Sequence, residues 1–243
     1  MLAGKRPERR STEMKHWKVA GTARIVVVLL AKKGIGSMNK RLFLMAGVSA
    51  WAAPLSAAIA APGTAKIGQP APAFEVIDAS KARRTLGEFK GKPVVLEWSS
   101  SSCPYAKAQY VSGRMQALQK WSTENGIVWL TILSSHPSRS DYLEPAKADA
   151  FNRARGGAPA VLLIDASGQM GRAYGALTAN HMFIVSRTGL LVYAGGVDDG
   201  ETMDPKKVLR AKSYVRPALE DVLAGRPVQR PTTEPSGCAL AYG

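Results

Sequence analysis

The stretch that most restricts what this chain can fold into is Pro93-Val-Val-Leu-Glu-Trp-Ser-Ser-Ser-Ser-Cys103-Pro-Tyr105. Val94 to Trp98 is a short apolar run that reads as a buried strand. Four serines, Ser99 to Ser102, follow as a loop. Pro104 marks a helix start, because the first helical turn is where a missing N–H costs nothing. Cys103 therefore falls at the mouth of that helix, beside unpaired amides and the positive end of the helix dipole. A thiolate is stabilised there, which acidifies the thiol and makes it nucleophilic. The alternative is a small buried cysteine with no role. The serine loop ahead of Cys-Pro argues instead for exposure.

Along the chain, residues 1–37 are basic and lack core periodicity, and their apolar run Ile25 to Leu30 is far shorter than the ~20 residues that span a bilayer. From Met38 the pattern changes. Asn39-Lys40-Arg41 is a positive start, Leu42 to Ile59 is apolar and small, and Ala58-Ile59-Ala60 fits a small-x-small cleavage rule. Residues 38–60 read as a secretory signal peptide, with residues 1–37 an extension outside the native product and a mature start near Ala61. The rival is an uncleaved membrane anchor, which the Ala/Ser-rich stretch interrupted by Pro54 fits poorly.

Residues 61–225 alternate strand and helix patterns. Phe74 to Ile77 is a short strand, Asp78 to Ala82 a turn, and Thr85-Leu-Gly-Glu88 resembles a capping box over a short helix. After the central strand, one helix is expected from Cys103 through Trp121, stopped at Asn125-Gly126. Ile127 to Leu133 is an apolar strand buried on both faces. A helix over Tyr142 to Arg155, a strand over Ala160 to Ile164 and a short helix over Gln169 to Tyr174 come next. Met182 to Val185 and Leu190 to Tyr193 form a hairpin through Ser186-Arg-Thr-Gly189. A last long helix covers Pro205 to Ala224, its Lys and Arg positions forming a solvated face. Residues 226–243 hold Pro227, Pro231, Pro235 and Cys238 and have little to pack, so this tail is flexible or laid over the surface. The order implies an α/β fold, a mixed central sheet with helices on both faces and the site at the carboxyl end of the central strand.

The formal charge of +15 suggests nucleic acid at first sight. It is uneven: residues 1–60 carry eleven Lys/Arg against two acids, and residues 61–243 carry 22 against 16. The domain is only mildly basic and shows no basic patch interleaved with aromatics, so no nucleic-acid partner is expected.

These residues together resemble the thioredoxin-like superfamily, in its redoxin and peroxiredoxin-like (alkyl hydroperoxide reductase/thiol-specific antioxidant) branch. The resemblance rests on Ile67-Gly-Gln-Pro-Ala-Pro-Ala-Phe74, on Val94 to Trp98 leading to Cys103-Pro104-Tyr105, on Leu163-Ile-Asp-Ala-Ser-Gly168, and on Met182 to Val185 with Gly189 and Val192-Tyr-Ala-Gly195. It covers about Lys66 to Ala224. It implies a thioredoxin-like fold and a thiol oxidoreductase acting on a protein thiol/disulfide partner or a small peroxide. The signal peptide at 38–60 adds the expectation of a periplasmic or secreted location, and no cofactor and no metal are expected. Ala106 stands where a Cys-x-x-Cys motif has its second thiol. In the peroxiredoxin Pro-x-x-x-Thr/Ser-x-x-Cys pattern, Ser100 matches the hydroxyl and Leu96 replaces the proline. Thr178-Ala-Asn-His181 lacks the usual cis-proline, so a trans loop is expected.

On this reading the Cys103 thiolate attacks a disulfide or a peroxide, and Cys238 resolves the product. A static Cys103–Cys238 disulfide, or a tail thiol that pairs between molecules, are the other two fates of Cys238. Glu97, inside an apolar strand, is a candidate proton relay to Cys103 or a side chain turned to solvent. His136 and His181 could join Cys103 around a soft metal, against the plainer reading of loop histidines with ordinary hydrogen bonds. The competing class of function is a non-enzymatic thioredoxin-fold module that binds a partner or a metal.

Overall fold

The computed structural model describes residues 65–242. The expected extension and signal peptide, residues 1–60, lie outside the described residues.

The chain forms β1 (Glu75–Asp78), β2 (Arg83–Thr85), a 3-10 turn (Leu86–Phe89), β3 (Val94–Ser99), α1 (Pro104–Val111), α2 (Arg114–Glu124), β4 (Val128–Leu133), α3 (Pro145–Ala154), β5 (Val161–Ile164), α4 (Gln169–Tyr174), β6 (His181–Val185), β7 (Leu191–Gly196), α5 (Pro205–Arg210) and α6 (Val215–Leu223). The strands build one seven-stranded sheet in the order β2-β1-β5-β4-β3-β6-β7. β3 pairs parallel with β4, and β4 with β5. β6 joins β3 antiparallel and turns back as β7, so the late hairpin falls where the turn residues put it.

Every residue of β3 is buried, which is why its apolar run shows no alternation. Its two faces nevertheless differ. Val94, Leu96 and Trp98 enter a core with Leu130, Ile132, Leu163 and Phe183, closed by Met170 and Tyr174 of α4. Val95 enters the opposite core, under Tyr110 of α1, Met115 and Leu118 of α2, and Val215 and Leu219 of α6. Trp98, Tyr174 and Phe183 pack edge-on or tilted, with centroids 5.1–5.5 Å apart. This covers both sheet faces with helices, the arrangement that buried parallel strands require.

Three departures from the sequence reading have physical causes. The helix after Cys103 is two helices, because Gly113 takes φ +81 and breaks the ladder between α1 and α2. The last helix is also two. Pro217 lacks an N–H and tolerates only a first turn, so α6 begins anew at Val215 after Ser213 bridges to Asp198. β2 has no apolar alternation to announce it. It is turned back by Asp78, whose Oδ1 accepts from the Ser80 N–H (2.8 Å) and the Ala82 N–H (3.0 Å), while Arg84 donates to its Oδ2 (2.8 Å).

The tail is laid over the surface and held there by hydrogen bonds, most of them between backbone groups. Ala194 N–H donates to Pro231 O (2.9 Å) and Gly196 N–H to Thr233 Oγ1 (3.0 Å), along β7. Further on, Ala179 N–H donates to Cys238 O (2.8 Å), Leu240 N–H to Leu177 O (2.9 Å) and the Tyr242 hydroxyl to Ala176 O (2.7 Å).

Open space surrounds the Cβ position of Gly113, so a side chain there meets only backbone strain. Gly113→Ala is expected to cost about 1 kcal/mol. A lowered urea midpoint with an unchanged m-value is the expected result; an unchanged midpoint would show that α1 and α2 do not need the left-handed residue.

Candidate functional site

β3 ends at the sheet centre and delivers Ser99 to Ser102 into a loop. Cys103 is the N-cap of α1, extended at φ −81, ψ 118, with Pro104 at the first helical position. The amides of Tyr105 and Ala106 head the helix with no carbonyl one turn back to bind, while Lys107 N–H already reaches Cys103 O (2.9 Å). The positive helix end therefore faces the sulfur.

Cys103 is joined to Cys238 by a disulfide, with Cα atoms 5.7 Å apart and 135 positions between them in sequence. Cys238 N–H also donates to Cys103 Sγ (3.2 Å). The expectation of an exposed Cys103 does not hold in this state: only 2% of its surface is accessible. Ala106, Ala179 and Tyr105 wall it in and the tail closes the remaining side. Cys238 itself is half-buried.

Ser100 does not face the sulfur through a hydrogen bond. Its hydroxyl pairs with Ser102 Oγ (3.3 Å) and accepts from Ser102 N–H (3.3 Å). Leu96 is wholly in the core. The Thr178–His181 loop is trans, as the missing proline implies, and no cis peptide occurs among the described residues. Asn180 takes φ +67 and donates its N–H to Trp98 O (2.8 Å), which clamps the loop to the end of β3. Asn is among the few side chains that accept this conformation.

Glu97 points into the protein, not to solvent, and is fully buried. Its carboxylate accepts four hydrogen bonds: from Tyr110 OH (2.7 Å), Trp129 Nε1 (2.8 Å), Thr131 Oγ1 (2.8 Å) and Gln119 Nε2 (3.2 Å). Burial, and then the facing Glu97 carboxylate, push the Tyr110 phenol well above its ordinary range. Tyr110 and Cys103 both line a cleft of about 520 Å³, with Ser101, Lys107, Phe151 and Arg155. The Arg155 guanidinium lies 3.7 Å over the Tyr110 ring and donates to Ser99 Oγ (2.8 Å). Arg155 and Lys107 carry no motif and were beyond reach of sequence reasoning.

The histidines stay apart. His136 pairs with Ser138 Oγ (2.7 Å) in its loop. His181 accepts from Leu177 N–H through Nδ1 (3.2 Å) and stacks on Phe183 at 4.4 Å. No group of three potential metal-ligating side chains occurs among the described residues.

Two stability measurements probe this interior. Burial pulls the His181 pKa down from 6.5 to about 4. Between those values the unfolded chain binds a proton that the folded chain refuses. Stability is therefore full above pH ~6.5 and falls by up to ~3 kcal/mol as pH drops to ~4. His181→Gln is expected to remove that part of the pH dependence; identical slopes in both proteins would refute it. At Glu97, replacement by Leu strands the buried Tyr110, Trp129 and Thr131 donors, while Gln119 keeps its bond to the Tyr110 hydroxyl (3.1 Å). That replacement is expected to cost about 4 kcal/mol. Glu97→Gln is expected to cost about 1 kcal/mol, because the Tyr110 hydroxyl can turn to accept from the new amide. Equal losses for the two would mean the donors are not the source.

Comparison with known proteins bears on this site. The AhpC/TSA family model matches residues 67–194, a span that ends upstream of Cys238. No protein of curated function matches the chain in sequence. Among solved structures, a hypothetical protein from Sinorhizobium meliloti is 23% identical with a TM-score of 0.62, covering 75% of this chain and 97% of its own. An uncharacterized conserved protein from Geobacillus kaustophilus is 21% identical with a TM-score of 0.62, covering 75% of this chain and 95% of its own. Both likenesses are of fold. With the family model spanning more than half of the sequence and a sheet that sets Cys103 at a helix start, the chain belongs to the AhpC/TSA family, in the thioredoxin-like superfamily.

Proposed function

We propose that this protein is an exported thiol-disulfide oxidoreductase whose working pair is Cys103 and Cys238. The observation that carries the reading is the bond between a helix-capping cysteine and a tail cysteine, in a chain that has no other cysteines. The tail supplies from a distance the second thiol that a Cys-x-x-Cys motif supplies locally. A partner dithiol gives up two electrons and two protons and becomes a disulfide; the Cys103–Cys238 bond takes the two electrons and becomes two thiols. The reverse direction reduces a partner disulfide. Helix amides at Cys103 favour its thiolate and support a role in exchange.

Peroxide is the less favoured substrate. A peroxide-reducing thiolate needs open access and a hydroxyl partner, whereas Cys103 is covered by the tail and Ser100 is turned to Ser102. Glu97, reached from the cleft through Tyr110, is proposed to hold or pass a proton for this chemistry. The small, apolar, basic-headed stretch 38–60 is proposed to direct export to the periplasm or beyond, where disulfides persist.

A second reading is favoured by the dense bonding of the tail: a static clasp in a partner-binding module, with no turnover. The two separate in an insulin-reduction assay with dithiothreitol. The oxidoreductase reading expects a rate that falls at least ~100-fold in both Cys103→Ser and Cys238→Ser, and no Cys103-dependent consumption of hydrogen peroxide. Unchanged rates in both variants support the clasp, and peroxide consumption that vanishes in Cys103→Ser returns the peroxidase.

A further inference from the structure

The two sulfurs of the Cys103–Cys238 bond are not equivalent, and the difference bears on which one a partner touches. This step rests on the proposed redox role of the pair. In thiol-disulfide exchange a thiolate attacks one sulfur in line and expels the other. Access to the attacked sulfur and stability of the expelled thiolate decide between the two outcomes.

Both criteria select the same outcome here. Cys103 borders the cleft yet is only 2% exposed, with Ala106 and Ala179 packed against it, while Cys238 is half-buried in a surface bend. The expelled sulfur matters equally. Cys103 sits at the head of α1, and the Cys238 amide already donates to its Sγ at 3.2 Å. A thiolate left on Cys103 is received by the helix end and by that amide. Cys238 lies in a bend next to the isolated Thr178–Ala239 bridge, and no described helix starts at it.

The tail does not depend on the disulfide to remain in place. The Ala179–Cys238, Leu177–Leu240 and Ala176–Tyr242 hydrogen bonds flank the sulfur on the main chain and at the chain end. Cys238 therefore stays beside Cys103 after the bond opens.

We infer that Cys238 is the partner-facing sulfur and Cys103 the inner, resolving one, the opposite of the order expected from sequence. In the oxidised protein a thiolate of a partner dithiol attacks Cys238 Sγ. A partner–Cys238 bond forms, the Cys238–Cys103 bond breaks, and Cys103 leaves as the thiolate. The partner's second thiolate then attacks its own sulfur in the mixed disulfide. The partner's disulfide forms and Cys238 is released as a thiolate, so two electrons have passed to the pair. The two partner protons go to solvent or to the released sulfurs. In the reverse direction Cys238 attacks the partner disulfide and Cys103 resolves the mixed disulfide. The family match ends at residue 194, so nothing in it assigns this role to Cys238.

The test uses the full oxidised chain and glutathione as the thiol probe. Brief exposure is stopped with acid, free thiols are blocked with N-ethylmaleimide, and peptides are mapped by mass spectrometry. The expected result is glutathione on Cys238 and maleimide on Cys103, in at least ~10-fold excess over the converse. Glutathione on Cys103 with maleimide on Cys238, or equal amounts of both, overturns the inference and leaves the oxidoreductase reading intact. A parallel sample is treated with dithiothreitol while folding is followed by circular dichroism. A disulfide that resists both reagents until the protein unfolds overturns the inference and the oxidoreductase reading together. Because the wild-type chain is used, no variant needs to fold.

Discussion

Strand β3 is the constraint on which the rest depends. It is paired along both edges, parallel with β4 and antiparallel with β6, and all six of its residues are buried. No backbone group in such a strand can seek water, so its register is fixed by its neighbours and its end is fixed with it. The Trp98 carbonyl then accepts from Asn180, which ties the loop before β6 to the same point. Cys103, four residues past the end of β3, inherits its position from this pairing and from the Pro104 that starts α1. The candidate site is thus set by the sheet, not by the loop that carries it.

The two faces of β3 were given different chemistry. One is aliphatic and aromatic, with Leu96 and Trp98 in the larger core. The other carries Glu97 beside Val95, and the carboxylate is surrounded by four donors from α1, α2 and β4. A buried carboxylate is tolerable only with its partners in place, so Tyr110, Gln119, Trp129 and Thr131 are fixed as a group. That group backs the cleft that opens beside Cys103 and positions the Tyr110 ring under Arg155.

Much of the fold was legible in the sequence because buried strands and Cys-Pro are local signals. The apolar runs at Val94, Ile127 and Ala160, the turn at Ser186 to Gly189 and the helix start at Pro104 all leave marks within a few residues. Pro217 and Gly113 were equally visible, and reading helices through them gave two elements too few. The site was less legible. Cys103 was identified from its setting, but its burial was not, because the covering segment lies 135 positions away and carries no pattern that declares where it docks. Cys238 left three fates open for the same reason. Glu97 announced itself as a charge inside an apolar strand, whereas its donors came from three separate elements. Arg155 gave no signal, since an arginine at a helix end is ordinary.

The disulfide joins residue 103 to residue 238, and so turns most of the folded domain into a covalent ring. Within that ring lie α1, β4, β5, the β6–β7 hairpin and every later helix. In a chain-entropy account, closing a loop of this size withdraws ~5 kcal/mol of freedom from the unfolded chain. A single backbone cut anywhere inside the ring leaves one molecule, since both ends stay tied through sulfur. The same cut in the thiol form leaves two pieces joined only by packing. Susceptibility to nicking therefore becomes a readout of oxidation state, and the molecule is mechanically a different object on either side of one bond.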